Sequence, residues 1–188
     1  MNAVAIIVGL VALQRLGELV LATRNTRALL SRGGVEHGAG HYPLIVLLHA
    51  AWLLALLFLV PADAPLSWFW LAVFVVLQGL RAWVVASLGP YWTTRIITLP
   101  DAPLVRRGPY RLLRHPNYVV VAAEIVVLPL VFGAWPIALV FSVLNAVMLA
   151  WRIRTEEQAL APRRTLDGES GSARNPPLPL RQREGPAA

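Results

Sequence analysis

Apolar residues gather into five long blocks, over residues 3–23, 42–60, 66–87, 116–132 and 136–151, and polar residues fill the gaps. A helix rises about 1.5 Å per residue, so about 20 residues cross a hydrocarbon core of about 30 Å. The first three blocks meet that length. The last two are shorter and share a tight connection, Gly133-Ala134-Trp135-Pro136. The pattern predicts an all-α polytopic membrane protein with about five transmembrane helices, the last two forming a tight hairpin. Pro116 and Pro136 suit first turns, Pro129 is placed to kink the fourth helix, and the fifth is expected to end near residue 160. Residues 1–160 thus read as one transmembrane domain. Residues 161–188, rich in Pro, Gly, Arg and Ser without an apolar period, read as a disordered cytosolic tail. The first block reads as a span rather than a cleaved leader, because it lacks a basic start and carries Gln14, Arg15 and Glu18.

Composition agrees with this picture. Of 188 residues, 57% are apolar and 14% charged, against about 45–50% and about 25% in soluble domains. With no Cys, disulfide scaffolds, thiol chemistry and a C-terminal prenylation box are excluded. The net charge is +7, and all 17 basic residues are Arg. In a polar chain that balance would suggest nucleic acid. In one this apolar it means basic loops beside an anionic membrane face, with membrane lipids as partners and no nucleic acid. Fifteen of the arginines fall in three segments, 24–41, 88–115 and beyond 151, while the connections at 61–65 and 133–135 hold none. With five spans these segments alternate sides. The positive-inside rule then puts the N-terminus outside and the C-terminus in the cytosol of a bacterial inner or plasma membrane.

A few polar groups interrupt the apolar blocks. Glu18, His49, Arg81, Glu124 and Asn145 each lie about 6–8 residues from the expected cytosolic ends, at a shared depth of roughly 9–12 Å. Each alone is an ordinary interhelical hydrogen-bond group. One per helix at a single level suggests a ring around a pocket, with Arg81 and Glu124 paired across helices and Arg15 sharing a face with Glu18. No His or Cys spacing suggests a metal site. Trp68, Trp70, Tyr91, Trp92 and Trp135 read mostly as interfacial aromatics at span ends.

Two polar clusters flank the last hairpin. The first is Gly108-Pro109-Tyr110-Arg111-Leu112-Leu113-Arg114-His115-Pro116-Asn117-Tyr118; the second is Arg152-Ile153-Arg154-Thr155-Glu156-Glu157. Gly108-Pro109 permits a tight turn, and Arg114 and His115 fall at a helix start, where free N–H groups attract anions. Taken singly, an Arg-rich loop and an Arg…Glu-Glu run are ordinary solvated faces.

Together, and separated by a helical hairpin, these residues resemble the isoprenylcysteine carboxyl methyltransferase family of integral membrane enzymes, related to phospholipid methyltransferases. Gly108, Tyr110, Arg114, His115, Pro116 and Tyr118 fit its G-x-Y-x-x-x-R-H-P-x-Y pattern, and Arg152, Glu156 and Glu157 fit its R-x-x-x-E-E pattern. The resemblance covers about residues 88–160. Upstream, Glu18-Leu19, Arg24-Asn25, His41-Tyr42-Pro43, His49 and residues 88–100 are similar to a bacterial subgroup acting on alkylpyrones or other phenolic lipids. Two positions depart from common patterns: Ala102 stands where many relatives have His, and Val120 where many prenylcysteine enzymes have Gly.

The resemblance implies S-adenosylmethionine as methyl donor and a lipophilic small-molecule acceptor, either an isoprenylcysteine-type carboxylate or an alkylpyrone or phenolic hydroxyl. The expected cofactor-binding residues are Tyr110, Arg114, His115, Pro116, Tyr118, Glu156 and Glu157. The start of the fourth helix, with Arg114, suits the donor's carboxylate. Glu156 or Glu157 suits its ammonium and ribose hydroxyls. Arg152 is the expected holder of the acceptor's oxyanion, with Arg95 or Arg81 behind it. A neutral phenol would need a base, for which Glu124 or His49 is the candidate. The expected catalytic set is therefore Arg152, Arg95 and Glu124. Two other readings remain: an NADPH-dependent membrane reductase, since sterol reductases carry a related Arg-His-Pro-x-Tyr stretch, and a non-catalytic membrane scaffold. The Arg152…Glu156-Glu157 spacing favours methylation.

Overall fold

The computed structural model describes residues 2–99 and 107–173, with side chains described for these except His41 and those beyond 159. Five helices carry the fold: α1 (Ala3–Leu30), α2 (Tyr42–Leu59), α3 (Trp68–Leu88), α4 (Pro116–Val131) and α5 (Trp135–Ala173). Two short strands, β1 (Val35–His37) and β2 (Ile96–Thr98), pair antiparallel with Glu36 opposite Ile97. Single 3-10 turns lie at Ala39–His41, Gly89–Tyr91 and Gly108–Arg111.

The protein is an all-α polytopic membrane protein with this small ladder added. Among the described residues, α1, α2, α3 and the Trp135–Ala159 part of α5 are long and apolar enough to cross a membrane. The fourth block differs from the other spans. At 16 residues α4 is about 24 Å long, short of a full hydrocarbon core. It packs between α3 and α5, with nine of its residues buried, so neighbouring helices shield it. Pro129 falls in its last turn, and the Phe132 and Ala134 N–H groups donate to the Pro129 carbonyl as the chain leaves the helix.

Two helices outrun their apolar blocks. The α1 helix continues seven residues past 23, and α5 continues to Ala173 rather than ending near 160. Hydropathy marks where the membrane ends, not where the helix ends. In α1 the added Leu, Ala and Arg prolong a helix already nucleated at little cost. The remainder of the expected tail, 174–188, lies outside the described residues, as does Ala102.

The β1–β2 ladder has no periodic signal to betray it. Each strand is three residues long, and the partners are about 60 positions apart. It packs against α5 and, through β2, against α1, which brings the three Arg-rich segments to one end of the bundle. Two apolar clusters form the core. One, towards the opposite end, joins Val4, Val8 and Val11 to Trp52, Leu56, Phe74, Ile125 and Leu128. The other joins Ala22, Val84, Trp92 and Val120 near the Arg-rich end.

Candidate active site

On α1 the buried stripe runs Val4, Val8, Val11 and then Ala22, at helical spacing, and Arg15 and Glu18 stand in it. Facing them, α3 presents Gln78 and Arg81 and α4 presents Glu124. The network of six hydrogen bonds they form lies between the two apolar clusters. Arg81 holds Glu18 with two nitrogens, Nε donating to Oε1 at 2.6 Å and Nη2 to Oε2. Its Nη1 donates to Glu124 Oε2 at 3.0 Å, where Arg15 Nη2 also donates at 2.8 Å. Gln78 Nε2 donates to Glu124 Oε1 at 2.9 Å, and Arg15 Nη1 to Glu18 Oε2 at 3.1 Å. Two guanidinium groups thus face two carboxylates, the arrangement that makes buried charge tolerable. The expected Arg81–Glu124 pair is present.

Above this layer, towards the Arg-rich end, a cavity of about 440 Å³ opens among α1, α2, α4 and α5. Its walls are mostly apolar. Its polar lining includes Arg15, Glu18, His49, Arg81, Asn145 and Arg152. Four of the five residues expected to form a ring therefore share one cavity. Glu124, at 1% exposure, stands behind them. Leu16 and Leu54 belong to the cavity wall yet remain more than half exposed, so the cavity reaches the lipid-facing surface of α1 and α2.

The two motifs meet beside the cavity. Arg152 Nε donates to the Tyr118 hydroxyl at 2.8 Å, and that hydroxyl donates to Glu156 Oε2. His115 stacks on Tyr118 with ring centroids 5.2 Å apart. Its Nδ1 lies 3.6 Å from Glu156 Oε2 and its Nε2 lies 4.0 Å from Glu157 Oε1. The hairpin explains the meeting: α4 leaves this end, α5 returns to it, and Tyr118 and Arg152 fall at matching heights. Tyr110 packs against the Ala22–Val84–Trp92–Val120 cluster. Burial, with the Glu156 charge as a smaller cause, pushes its phenol up.

The loop before α4 is held by two devices. Gly108 has φ +55°, and a Cβ there would collide with Ser87 Oγ. Arg107 Nε donates to the Ser87 carbonyl at 2.7 Å. Pro116 is the first residue of α4, after His115, whose side chain does not cap the helix. Arg114 is exposed and makes no ion pair among the described residues.

Of the expected site residues, Tyr110, His115, Pro116, Tyr118, Arg152, Glu156 and Glu157 come together, with Arg114 at the adjoining helix start. Two others are placed elsewhere. Arg95 Nη1 binds Glu36 at 2.8 and 3.1 Å and its guanidinium lies 4.5 Å from the Tyr42 ring centroid, so it fastens the ladder to α2. Glu124 has both oxygens engaged inside the ionic layer. Of the tryptophans, Trp92, at 2% exposure, lines the cavity, whereas Trp68 and Trp135 are exposed. Sequence reasoning missed Gln78, three positions from Arg81 on the same face, and Asn117, which sits inside the first motif and lines the cavity. It also missed the Asn25 brace, whose Nδ2 donates to the Gly89 and Trp92 carbonyls.

Comparison with known proteins bears directly on this arrangement. The model of the isoprenylcysteine carboxyl methyltransferase (ICMT) family matches residues 70–162, which span both motifs and the hairpin. The chain is also 39% identical over 160 residues to the uncharacterized protein YpbQ of Bacillus subtilis (strain 168), covering 82% of this chain and 95% of that one. The chain belongs to the isoprenylcysteine carboxyl methyltransferase family. An uncharacterized protein of Haemophilus influenzae is 27% identical over 154 residues, covering 78% of this chain and 88% of its own. No solved structure matches the chain. Family membership makes the protein an integral membrane methyltransferase. In this chain the Tyr118–Arg152–Glu156 contact is the point where the two polar clusters join.

Proposed function

We propose that this protein transfers the methyl group of S-adenosylmethionine to an oxygen of a lipophilic acceptor at the cytosolic face of a bacterial inner membrane, with its N-terminus outside. The observation that carries the reading is the position of Arg152. It lines the apolar cavity and, through Tyr118, reaches Glu156 in the polar cluster. A single residue thus borders both the apolar cavity and the polar cluster.

The residues of the cluster suit this donor. Glu156 and Glu157 are part-exposed carboxylates suited to an ammonium and to ribose hydroxyls. The start of α4, with exposed Arg114, suits a carboxylate. His115 Nε2 and Asn117 Oδ1 are buried without a hydrogen-bond partner, which leaves a donor-or-acceptor nitrogen and an acceptor oxygen for a ligand. When bound, S-adenosylmethionine supplies a methyl group already activated on sulfur. The chain's own tasks are then to orient the acceptor, to hold its oxygen and to keep water out.

Arg152 performs the second task. Its Nε is fixed by Tyr118, so the rest of the guanidinium is pre-oriented towards the cavity end of the site. An isoprenylcysteine-type carboxylate, or an acidic enol of an alkylpyrone, arrives ionised and needs no base. Val120 in place of Gly favours the alkylpyrone or phenolic class. The lipid enters from the bilayer, where the cavity wall at Leu16 and Leu54 is exposed.

Titration of the detergent-purified protein with S-adenosylmethionine, its demethylated product and NADPH tests the donor. Binding of the first two and not the third is expected. Binding of NADPH alone would overturn the reading in favour of a reductase. Methyl-labelled donor fed to cells with and without the gene, followed by lipid extraction, identifies the acceptor.

A further inference from the structure

Two polar side chains of the cavity share the depth of the ionic layer without joining it. Asn145, on α5, is 3% exposed and lines the cavity, and its side chain makes no hydrogen bond among the described residues. His49, on α2, lines the same cavity and stands edge-on to Trp52. Its Nδ1 lies 2.9 Å from the Ile45 carbonyl. A carbonyl only accepts, so Nδ1 carries the hydrogen and Nε2 of the neutral ring is an acceptor.

Both residues sit at the same distance from the upper polar level. Asn145 precedes Arg152 by seven residues on α5, and His49 follows Tyr42 by seven on α2, with both upper residues in the cavity wall. Seven residues are two helical turns, about 10 Å. The cavity therefore has two polar levels about 10 Å apart with apolar wall between them.

We propose that His49 and Asn145 form a second recognition subsite, which takes a neutral hydroxyl carried on the acceptor's chain about two helical turns from the oxygen that Arg152 holds. This rests on the methyltransferase reading for what happens at Arg152, but not for the subsite itself. The chemistry selects a hydroxyl over other groups. Every carboxylate oxygen of Glu18 and Glu124 is already bonded, and Arg15 and Arg81 balance them in charge. An ionised group at this depth would lose its water and gain no unbalanced partner. A methylene would leave the Asn145 amide buried and unpaired. A hydroxyl donates to His49 Nε2 and accepts from the Asn145 amide.

The test needs no knowledge of the natural acceptor. Two probes are titrated into the full-length protein in detergent, without donor, and followed by tryptophan fluorescence, Trp92 being in the cavity wall. One is a pentadecylphenol; the other is the same phenol with a hydroxyl on its chain about 10 Å from the ring oxygen. Two hydrogen bonds of ordinary strength predict that wild type binds the hydroxylated probe about tenfold more tightly. His49→Phe and Asn145→Leu, on separate helices, should each reduce the preference to near unity while binding of the plain phenol holds. Equal binding of the two probes by wild type overturns the proposal, whether or not either variant folds. So does a loss of both probes together in a folded variant, which would put the reacting oxygen itself at His49. Donor titration in parallel separates the cases: a preference without donor binding removes the methyltransferase reading and leaves the subsite standing.

Discussion

Arg152 and Tyr118 lie 34 residues apart, on the two arms of the α4–α5 hairpin, and are joined by a 2.8 Å hydrogen bond from Nε to the phenolic oxygen. The same oxygen donates its own hydrogen to Glu156. A tyrosine hydroxyl has one hydrogen to give and lone pairs to receive, so it suits a place between a cation and an anion. The bridge keeps Arg152 from collapsing onto Glu156, four residues along its own helix, and leaves its terminal nitrogens for a ligand.

Tyr118→Phe tests the bridge with minimal change of shape. It removes two hydrogen bonds to charged groups, each worth about 1.5–3 kcal/mol. Affinity for S-adenosylmethionine should fall about 10–100-fold by calorimetric titration. Unchanged affinity would show that Glu156 is positioned by other means.

Arg152→Lys separates charge from geometry. Lysine keeps the positive charge but loses the planar fork and the Nε contact to Tyr118. Transfer from labelled donor should fall about 10²–10³-fold, the cost of losing an oriented oxyanion donor, while donor affinity changes less than about tenfold. Equal losses in both would mean that Arg152 serves the donor alone.

Glu124→Leu addresses the ionic layer. It strips Arg15 and Arg81 of a carboxylate that is 1% exposed. Removing one partner of a buried charge set costs about 3–5 kcal/mol, so thermal unfolding in detergent should move sharply downwards. A shift of a degree or less would show that water reaches the layer.

Arg95→Ala should behave differently. Its pair with Glu36 has a side chain 38% exposed, so about 1 kcal/mol or less is at stake. Stability should barely move, and transfer should remain above about half of wild type. A loss of transfer as large as that of Arg152→Lys would return Arg95 to the catalytic set.

Gly108→Ala probes the loop that carries Tyr110. The new Cβ would collide with Ser87 Oγ at a backbone angle of +55°. A loss of about 1–3 kcal/mol in thermal unfolding is expected. Adding Ser87→Gly should recover only part of it, because the collision is relieved and the left-handed backbone is not.

The five helices were written in the sequence, since a membrane span announces itself by length and hydropathy alone. The two motifs were as plain, as was the depth shared by Glu18, His49, Arg81, Glu124 and Asn145, because helical rise is fixed. Pairing across the bundle was only partly legible. Arg81 and Glu124 were matched from depth, yet depth says nothing of azimuth, and it was packing that turned Glu124 into the ionic layer and left His49 and Asn145 facing the cavity. The β1–β2 ladder, and with it the partner of Arg95, was decided wholly by tertiary structure. Three-residue strands carry no period, and their pairing depends on two loops that meet only once α1, α3 and α5 have brought their ends together.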